Sequence, residues 1–253
     1  MLTAERRRSI MQALQRDGKV LASELSKSFH VSEDTIRRDL RELAEAGMLQ
    51  RVHGGALPRP SSSASFSERK QQATGAKEAI ARAALRFIRQ DQVIILDGGT
   101  TLLQVAQQLP RDQRLTVITH SPPIAMALTE PEDSAVEVIL IGGQMNKHAQ
   151  VAQGASTVEA YRHIRADLCF LGIRGLHPTI GISTSNLEEA YVKRAMVASA
   201  AEVVALASAE KLDTAAPYII GPSSMLTRLV TERAVAEEVL APYREQGIAI
   251  TRV

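Results

Sequence analysis

The sequence predicts an α/β chain in two parts: an N-terminal winged helix-turn-helix and a larger C-terminal α/β domain with a mostly parallel sheet. Three observations predict it. Three short amphipathic patterns within residues 1–57 lead into a strand-like run and the turn signal His53-Gly54-Gly55. Residues 57–67, LPRPSSSASFS, are rich in Pro and Ser and poor in apolar side chains, which suits a linker. From about residue 73, short apolar runs alternate with helical patterns, as in a parallel sheet covered by helices on both faces. The expected division is 1–57, a linker at 58–72, and 73–253.

In order along the first part, residues 3–15 carry Ile10, Ala13 and Leu14 at helical spacing, and Gly18 stops them. Val20 and Leu21 suit a short strand. Residues 22–29 form a second helix with Leu25 and Phe29 inward, and His30-Val31 make a tight turn. In the third helix Ser32 is the N-cap, and Glu33 and Asp34 suit the positive end of the helix dipole. Ile36, Leu40 and Leu43 make one apolar stripe. At 100° per residue, Asp34, Arg38 and Arg41 fall on the opposite face, with Arg37 on its flank. Gly47 ends the helix. Residues 48–52 read as a strand, and 53–55 as the turn of a wing that carries Arg51 and His53.

Two helices joined by a brief turn, the second with a packed back and an arginine front, match helix-turn-helix geometry. Arginine bonds a guanine edge with two parallel hydrogen bonds or clamps a phosphate. The residues expected to meet duplex DNA are Ser32, Glu33, Thr35, Arg37, Arg38, Arg41, Arg51 and His53. Any one of these arginines also fits a merely solvated helix face. The cap, stripe, arginine face and wing together favour DNA.

Charge distribution agrees. Residues 1–60 hold 11 Lys+Arg against 8 Asp+Glu, and the remainder holds 19 against 20. Aromatic content of 3% with no Trp argues against single-strand binding by base stacking. Apolar content of 45% is enough for a sizeable core. No run of 18 apolar residues and no apolar N-terminal leader is present, so the expectation is a cytoplasmic protein with no membrane partner. The single cysteine, Cys169, lies in an apolar run and reads as a buried inert thiol. Six scattered histidines lack metal-ligand spacing, so neither a metal nor a cofactor is expected.

In the second part, strands are expected at 93–96, 115–119, 136–141, 168–173, 203–207, 229–231 and 248–251. Helices are expected at 73–89, 102–109, 122–129, 154–163, 187–201 and 234–244. Ligands of such sheets sit beyond the carboxyl ends of the strands. The first strand ends in Asp97-Gly98-Gly99-Thr100-Thr101 and enters a helix, a combination that cradles an anion on backbone amides. It is neither a Walker loop nor a dinucleotide fingerprint. His120 and Ser121, Gly143, and Arg174 follow the next three strands, Glu189 and Lys193 lie on the strong helix, and Lys211 follows the fifth strand. Together they suit a small, polyhydroxylated, phosphorylated ligand. Each alone is as readily a turn glycine or a surface pair, and the Asp97–Thr101 stretch is the most specific.

Val31–Leu40, with Thr35-Ile36-Arg37-Arg38-Asp39-Leu40 at its centre, and Arg51–Ala56 resemble the DNA-binding domain of the DeoR family of bacterial transcriptional regulators. Asp97–Thr101, Gly142-Gly143, Glu189 with Val192–Met196, and Lys211 resemble that family's effector domain. The resemblance implies a fold related to ribose-phosphate isomerase and glucosamine-phosphate deaminase. It also implies a non-enzymatic repressor of a carbohydrate operon, with double-stranded operator DNA, a sugar phosphate or sugar-acid effector, and a homodimer or homotetramer. Three departures leave the sugar moiety open: Ser208 stands where the family has Asp, His120 where it often has Asn, and Arg174 where it often has an acidic or small residue. Arg174 or His120 is therefore expected to meet a second acidic group. The alternatives are a sugar-phosphate isomerase or deaminase with an appended DNA-binding domain, using Glu189 as base, and a nucleic-acid scaffold with a vestigial α/β domain.

Overall fold

The computed structural model describes residues 2–17, 19–58, 65–72, 74–130 and 134–253. The stop expected at Gly18 lies outside the described residues, as do residues 59–64 of the expected linker.

The N-terminal part is α1 (Thr3–Asp17), β1 (Val20–Leu21), α2 (Ala22–Phe29), α3 (Glu33–Glu45), β2 (Leu49–Val52) and β3 (Gly55–Pro58). The strands form an antiparallel sheet in the order β1-β3-β2, with Val52 paired to Gly55 across the wing turn. Ser32 caps α3, its hydroxyl accepting from the Thr35 N–H at 3.2 Å. Gly47, at φ 73°, closes the helix in a left-handed turn. Its N–H reaches the Ala44 carbonyl at 2.9 Å and that of Met48 reaches Leu43 at 2.9 Å, which is the two-bond glycine cap. Ile36, Leu40 and Leu43 are buried with Ile10, Leu14, Leu25 and Leu49 in one small core.

The C-terminal part begins with α4 (Phe66–Gln71) and α5 (Thr74–Ala84), which runs on into a 3-10 turn at Leu85–Phe87. Then come β4 (Val93–Leu96), α6 (Thr100–Gln108), β5 (Leu115–Thr119), α7 (Pro122–Thr129), β6 (Val136–Leu140), β7 (Gln144–Asn146) and β8 (Val151–Gln153). These are followed by α8 (Ala155–Arg162), β9 (Ala166–Gly172), β10 (Gly175–His177), β11 (Gly181–Thr184), α9 (Leu187–Ala198) and β12 (Ala200–Leu206). The chain ends with β13 (Tyr218–Gly221), β14 (Arg228–Thr231), α10 (Glu237–Glu245) and β15 (Ala249–Arg252).

Seven parallel strands form the main sheet in the order β15-β14-β12-β9-β4-β5-β6. The chain winds outward from β4 in one direction through β5 and β6, and from β9 in the other, so the switch point lies between β4 and β9. Alternate residues of each strand feed opposite cores. Ile95, Cys169, Leu171, Val203 and Ala205 pack with α9 and α10, whereas Ile94, Leu96, Phe170, Val204 and Leu206 pack with α5 and α6.

Helix α9 stops at Ala198 rather than 201, with 200–201 already in β12, and α10 starts at Glu237 rather than 234; three further departures bear on the site. Within the stretch read as linker, Phe66–Gln71 is helical, started by a capping box in which Ser65 and Glu68 exchange hydrogen bonds. Two further small sheets, β7-β8 and β10-β11-β13, stand on the carboxyl edge of the main sheet. Helix α6 starts at Thr100 rather than 102, because Gly99 at φ 129° turns the chain immediately after Gly98.

Candidate functional site

Two separate surfaces carry the chemistry. On α3, Arg37, Arg38 and Arg41 are exposed, as are Arg51 and His53 of the wing. Their apolar neighbours at 36, 40 and 43 take the inward positions and leave the arginines facing out. Arg37 is held by Glu33 at 2.9 Å and lies 3.7 Å from Asp34. Ser32 and Thr35 bond each other through their hydroxyls at 2.9 Å, so both serve the cap and lie at the same end of the helix. Among the described residues Arg38 and Arg41 have no carboxylate partner, which leaves two uncommitted cations on the exposed face.

Asp39 belongs to the same motif but turns inward. It is 2% exposed and takes Arg6 at 2.5 Å on one oxygen and Arg7 at 3.2 Å on the other, clamping α1 to α3. Arg7 also pairs with Glu42. Sequence reasoning missed this clamp. The signal was present, since Asp39 lies three residues after Ile36 and four before Leu43, and a carboxylate in an apolar stripe calls for a cation.

The second surface is a cavity of about 300 Å³ at the carboxyl ends of β4, β9 and β12, beside the switch point. Asp97, Gly98, Gly99, Thr100, Thr101, Arg174, Glu189, Lys193 and Lys211 all line it. The first amides of a helix lack intrahelical acceptors, and Thr100, Thr101 and Leu102 open α6 at the cavity wall. Around them stand Arg69, Lys77, Arg174, Lys193 and Lys211 against Asp97, Glu189 and Glu210.

Asp97 anchors this arrangement. Its carboxylate is fully buried and accepts from the Gly98 N–H at 2.7 Å, the Gly172 N–H at 2.8 Å and the Lys193 ammonium, with His120 Nε2 at 3.2 Å. Burial alone would raise its pKa. The Lys193 charge and the His120 hydrogen bond outweigh burial and hold it at about 2. Lys193 also donates to the Gly172 carbonyl at 2.9 Å. Glu189 is fixed by the Thr184 hydroxyl at 2.6 Å, and Glu210 by Ser208 at 3.1 Å. Lys211, crowded by Arg69, Arg174 and Lys77, is pushed down to about 8, mainly by burial and despite Glu210 beside it.

Three expected ligand residues do not reach the cavity. His120 is 1% exposed, packed behind Asp97, with Nδ1 2.7 Å from the Ala152 carbonyl; it positions the carboxylate and does not line the cavity. Ser121 is fully buried at the start of α7, because the loop after β5 folds under the β7-β8 hairpin. Gly143 lies against α8, where a Cβ would come 2.0 Å from Thr157 Oγ1. Its glycine serves close packing. Conversely, Arg69 and Lys77 line the cavity from α4 and α5, and neither carried a signal in a linker-like or helical stretch.

Comparison with known proteins places both surfaces in one framework. Residues 6–60 match the DeoR-like helix-turn-helix domain, and residues 72–233 match the DeoR C terminal sensor domain. The chain is 37% identical over 215 residues to the HTH-type transcriptional regulator GlpR of Haloferax volcanii, covering 84% of this chain and 83% of that one. It is 31% identical over 251 residues to the glycerol-3-phosphate regulon repressor of Escherichia coli strain K12, covering 99% of each. Among solved structures, ribose 5-phosphate isomerase A from Methanocaldococcus jannaschii is 16% identical, with a TM-score of 0.39 over 53% of this chain and 52% of that one.

Proposed function

This chain belongs to the DeoR family of DNA-binding transcriptional regulators, and from that premise we propose that it represses a carbohydrate-metabolism operon until a phosphorylated sugar or sugar acid fills its cavity. The observation that carries the reading is the pairing of free amides at the start of α6 with the cations Arg174 and Lys211 in one small enclosure. At about 300 Å³ the enclosure sits at the small end of ligand pockets, which favours a compact phosphorylated metabolite. Arg174 is half-buried and supplies a charge to a second acidic group. Arg38 and Arg41 read or grip the duplex, with Arg51 and His53 on the flanking backbone. Two copies of the chain would meet paired half-sites in the cytoplasm, each presenting one α3 to a major groove.

The cavity carboxylates support binding rather than turnover. Asp97 is committed to Lys193, and Glu189 and Glu210 accept from Thr184 and Ser208. Direct contact with operator fragments from its own promoter region, followed by fluorescence anisotropy, tests the reading. Glycerol 3-phosphate and ribose 5-phosphate serve as first probes and should be recovered chemically unchanged. Arg38→Ala is expected to weaken specific binding by roughly 1–3 kcal/mol and to relax one base preference. An equal loss on every sequence would make Arg38 a phosphate contact. Operator affinity indifferent to every phosphorylated probe, or a probe isomerised at a rate that Glu189→Gln abolishes, would overturn the proposal.

A further inference from the structure

We propose that α4 is the element through which an occupied cavity acts on the DNA-binding domain: Arg69 on α4 and Lys77 on α5 complete the anion site, so that a bound anion locks α4 onto the sensor domain. This rests on the effector reading above and adds to it two binding residues and a route of coupling.

Helix α4 has six residues, too few to hold a helix unaided. It stands because the sensor domain fastens both of its ends. At the start, Phe66 is 4% exposed, and its N–H donates at 3.0 Å to the carbonyl of His148, in the loop between β7 and β8. At the other end, the Lys77 ammonium donates to the carbonyls of Arg69 and Gln72. An ammonium has three donors. Two of them hold α4, and Lys77, 7% exposed and part of the cavity wall, has no carboxylate partner among the described residues.

Arg69 points the same way. It lines the cavity, and its Nε is buried without a hydrogen-bond partner. A buried guanidinium donor left so is unfavourable. Burial pushes the pKa values of Lys77, Arg174 and Lys211 down, and for all three the Arg69 charge pushes in the same direction. Arg69 is thus the cation around which the others crowd, and the missing partner of the group is an anion.

Position in the chain makes this a coupling device. Helix α4 is the first described element after the wing, separated from β3 by residues 59–65. Whatever fixes α4 fixes the point from which the DNA-binding domain is tethered. An anion held jointly by α6 amides, Lys77 and Arg69 ties that tether to the sheet edge.

The test is amide hydrogen exchange on the full chain, with inorganic phosphate as the probe and chloride at matched ionic strength as the control. With phosphate at tenfold its Kd, exchange should slow about tenfold both in residues 66–72 and at the start of α6. In Arg69→Met, phosphate affinity should fall about tenfold, and at matched occupancy the α6 protection should return while residues 66–72 keep their unliganded rate. Protection at α6 without protection at α4 in the unaltered chain would overturn the coupling role and leave the cavity reading intact. Full α4 protection in Arg69→Met would overturn the role of Arg69. No protection at either place would remove the cavity reading and this proposal with it.

Discussion

Asp97 concentrates the physics of the sensor domain in one side chain. A buried carboxylate is tolerated only with enough donors, and this one has two backbone N–H groups, an ammonium and an imidazole. Its folded pKa of about 2 lies below the 3.8 of the free side chain, so it contributes stability above about pH 4 that is lost as pH falls toward 2. Asp97→Ala would leave Lys193, 6% exposed, buried beside the Gly172 carbonyl without a counter-charge. We expect a loss of about 3–5 kcal/mol in urea unfolding at pH 7, with a flatter acid limb between pH 4 and 2. A loss under 1 kcal/mol would mean that another group anchors the β4 end. The residue was legible in the sequence as part of the cradle, and it lines the cavity, but its added role as a framework anchor was not legible. A strand-end Asp next to two glycines reads as a ligand contact, whereas Lys193 and His120, far apart in sequence, make it a framework anchor.

At the level of elements, helices with complete local signals were legible, and those shaped by tertiary contact were not. Ser32, the Ile36–Leu40–Leu43 stripe and Gly47 each specify one part of α3, and the structure uses all three. Strands β4, β9 and β12 announced themselves as continuous apolar runs because both faces are covered. The hairpin of β7 and β8 has three residues per strand, and Gln144-Met145-Asn146 has no apolar alternation to read. Helix α4 hid in a Ser-rich segment, although Ser65 and Glu68 had the spacing of a capping box. The same limit concealed the α1–α3 clamp, and this yields a prediction. Asp39→Ala would strand Arg6, 7% exposed, at the interface of the two helices. Stability of the N-terminal domain should fall by about 3 kcal/mol, with DNA affinity lost in parallel on warming. Replacing Glu42, whose partner Arg7 is part-exposed, should cost well under 1 kcal/mol. If the two substitutions cost the same by thermal melting, burial of the Asp39 pair is not what holds α1 to α3.

For the molecule as a whole, the question is how an anion at the edge of a seven-stranded sheet reaches a helix in the major groove. The two surfaces lie on separate cores, and among the described residues none of α3 lines the cavity. The connection that α4 begins is the covalent route between them. Coupling must also be thermodynamic: an effector shifts DNA affinity only by as much as it distinguishes the bound and free forms. Linkage then fixes a relation between two measurements. If glycerol 3-phosphate, or whichever phosphorylated probe binds, weakens operator affinity by some factor, operator DNA must weaken probe affinity by the same factor. Couplings of this kind are typically about 5- to 150-fold. Titration calorimetry of the probe into the free protein and into the operator complex measures one side, and anisotropy with and without the probe measures the other. Equal factors above fivefold are expected, and Arg69→Met should bring both toward one together. A factor of one on both sides would leave a DNA-binding protein with an unconnected anion site. Unequal factors would require the probe to act at a second place, such as the arginine face of α3, where a phosphate competes with the duplex directly. Rising salt separates that case, because competition at Arg38 and Arg41 fades as the duplex contact itself is screened, whereas binding at the enclosed cavity is screened far less.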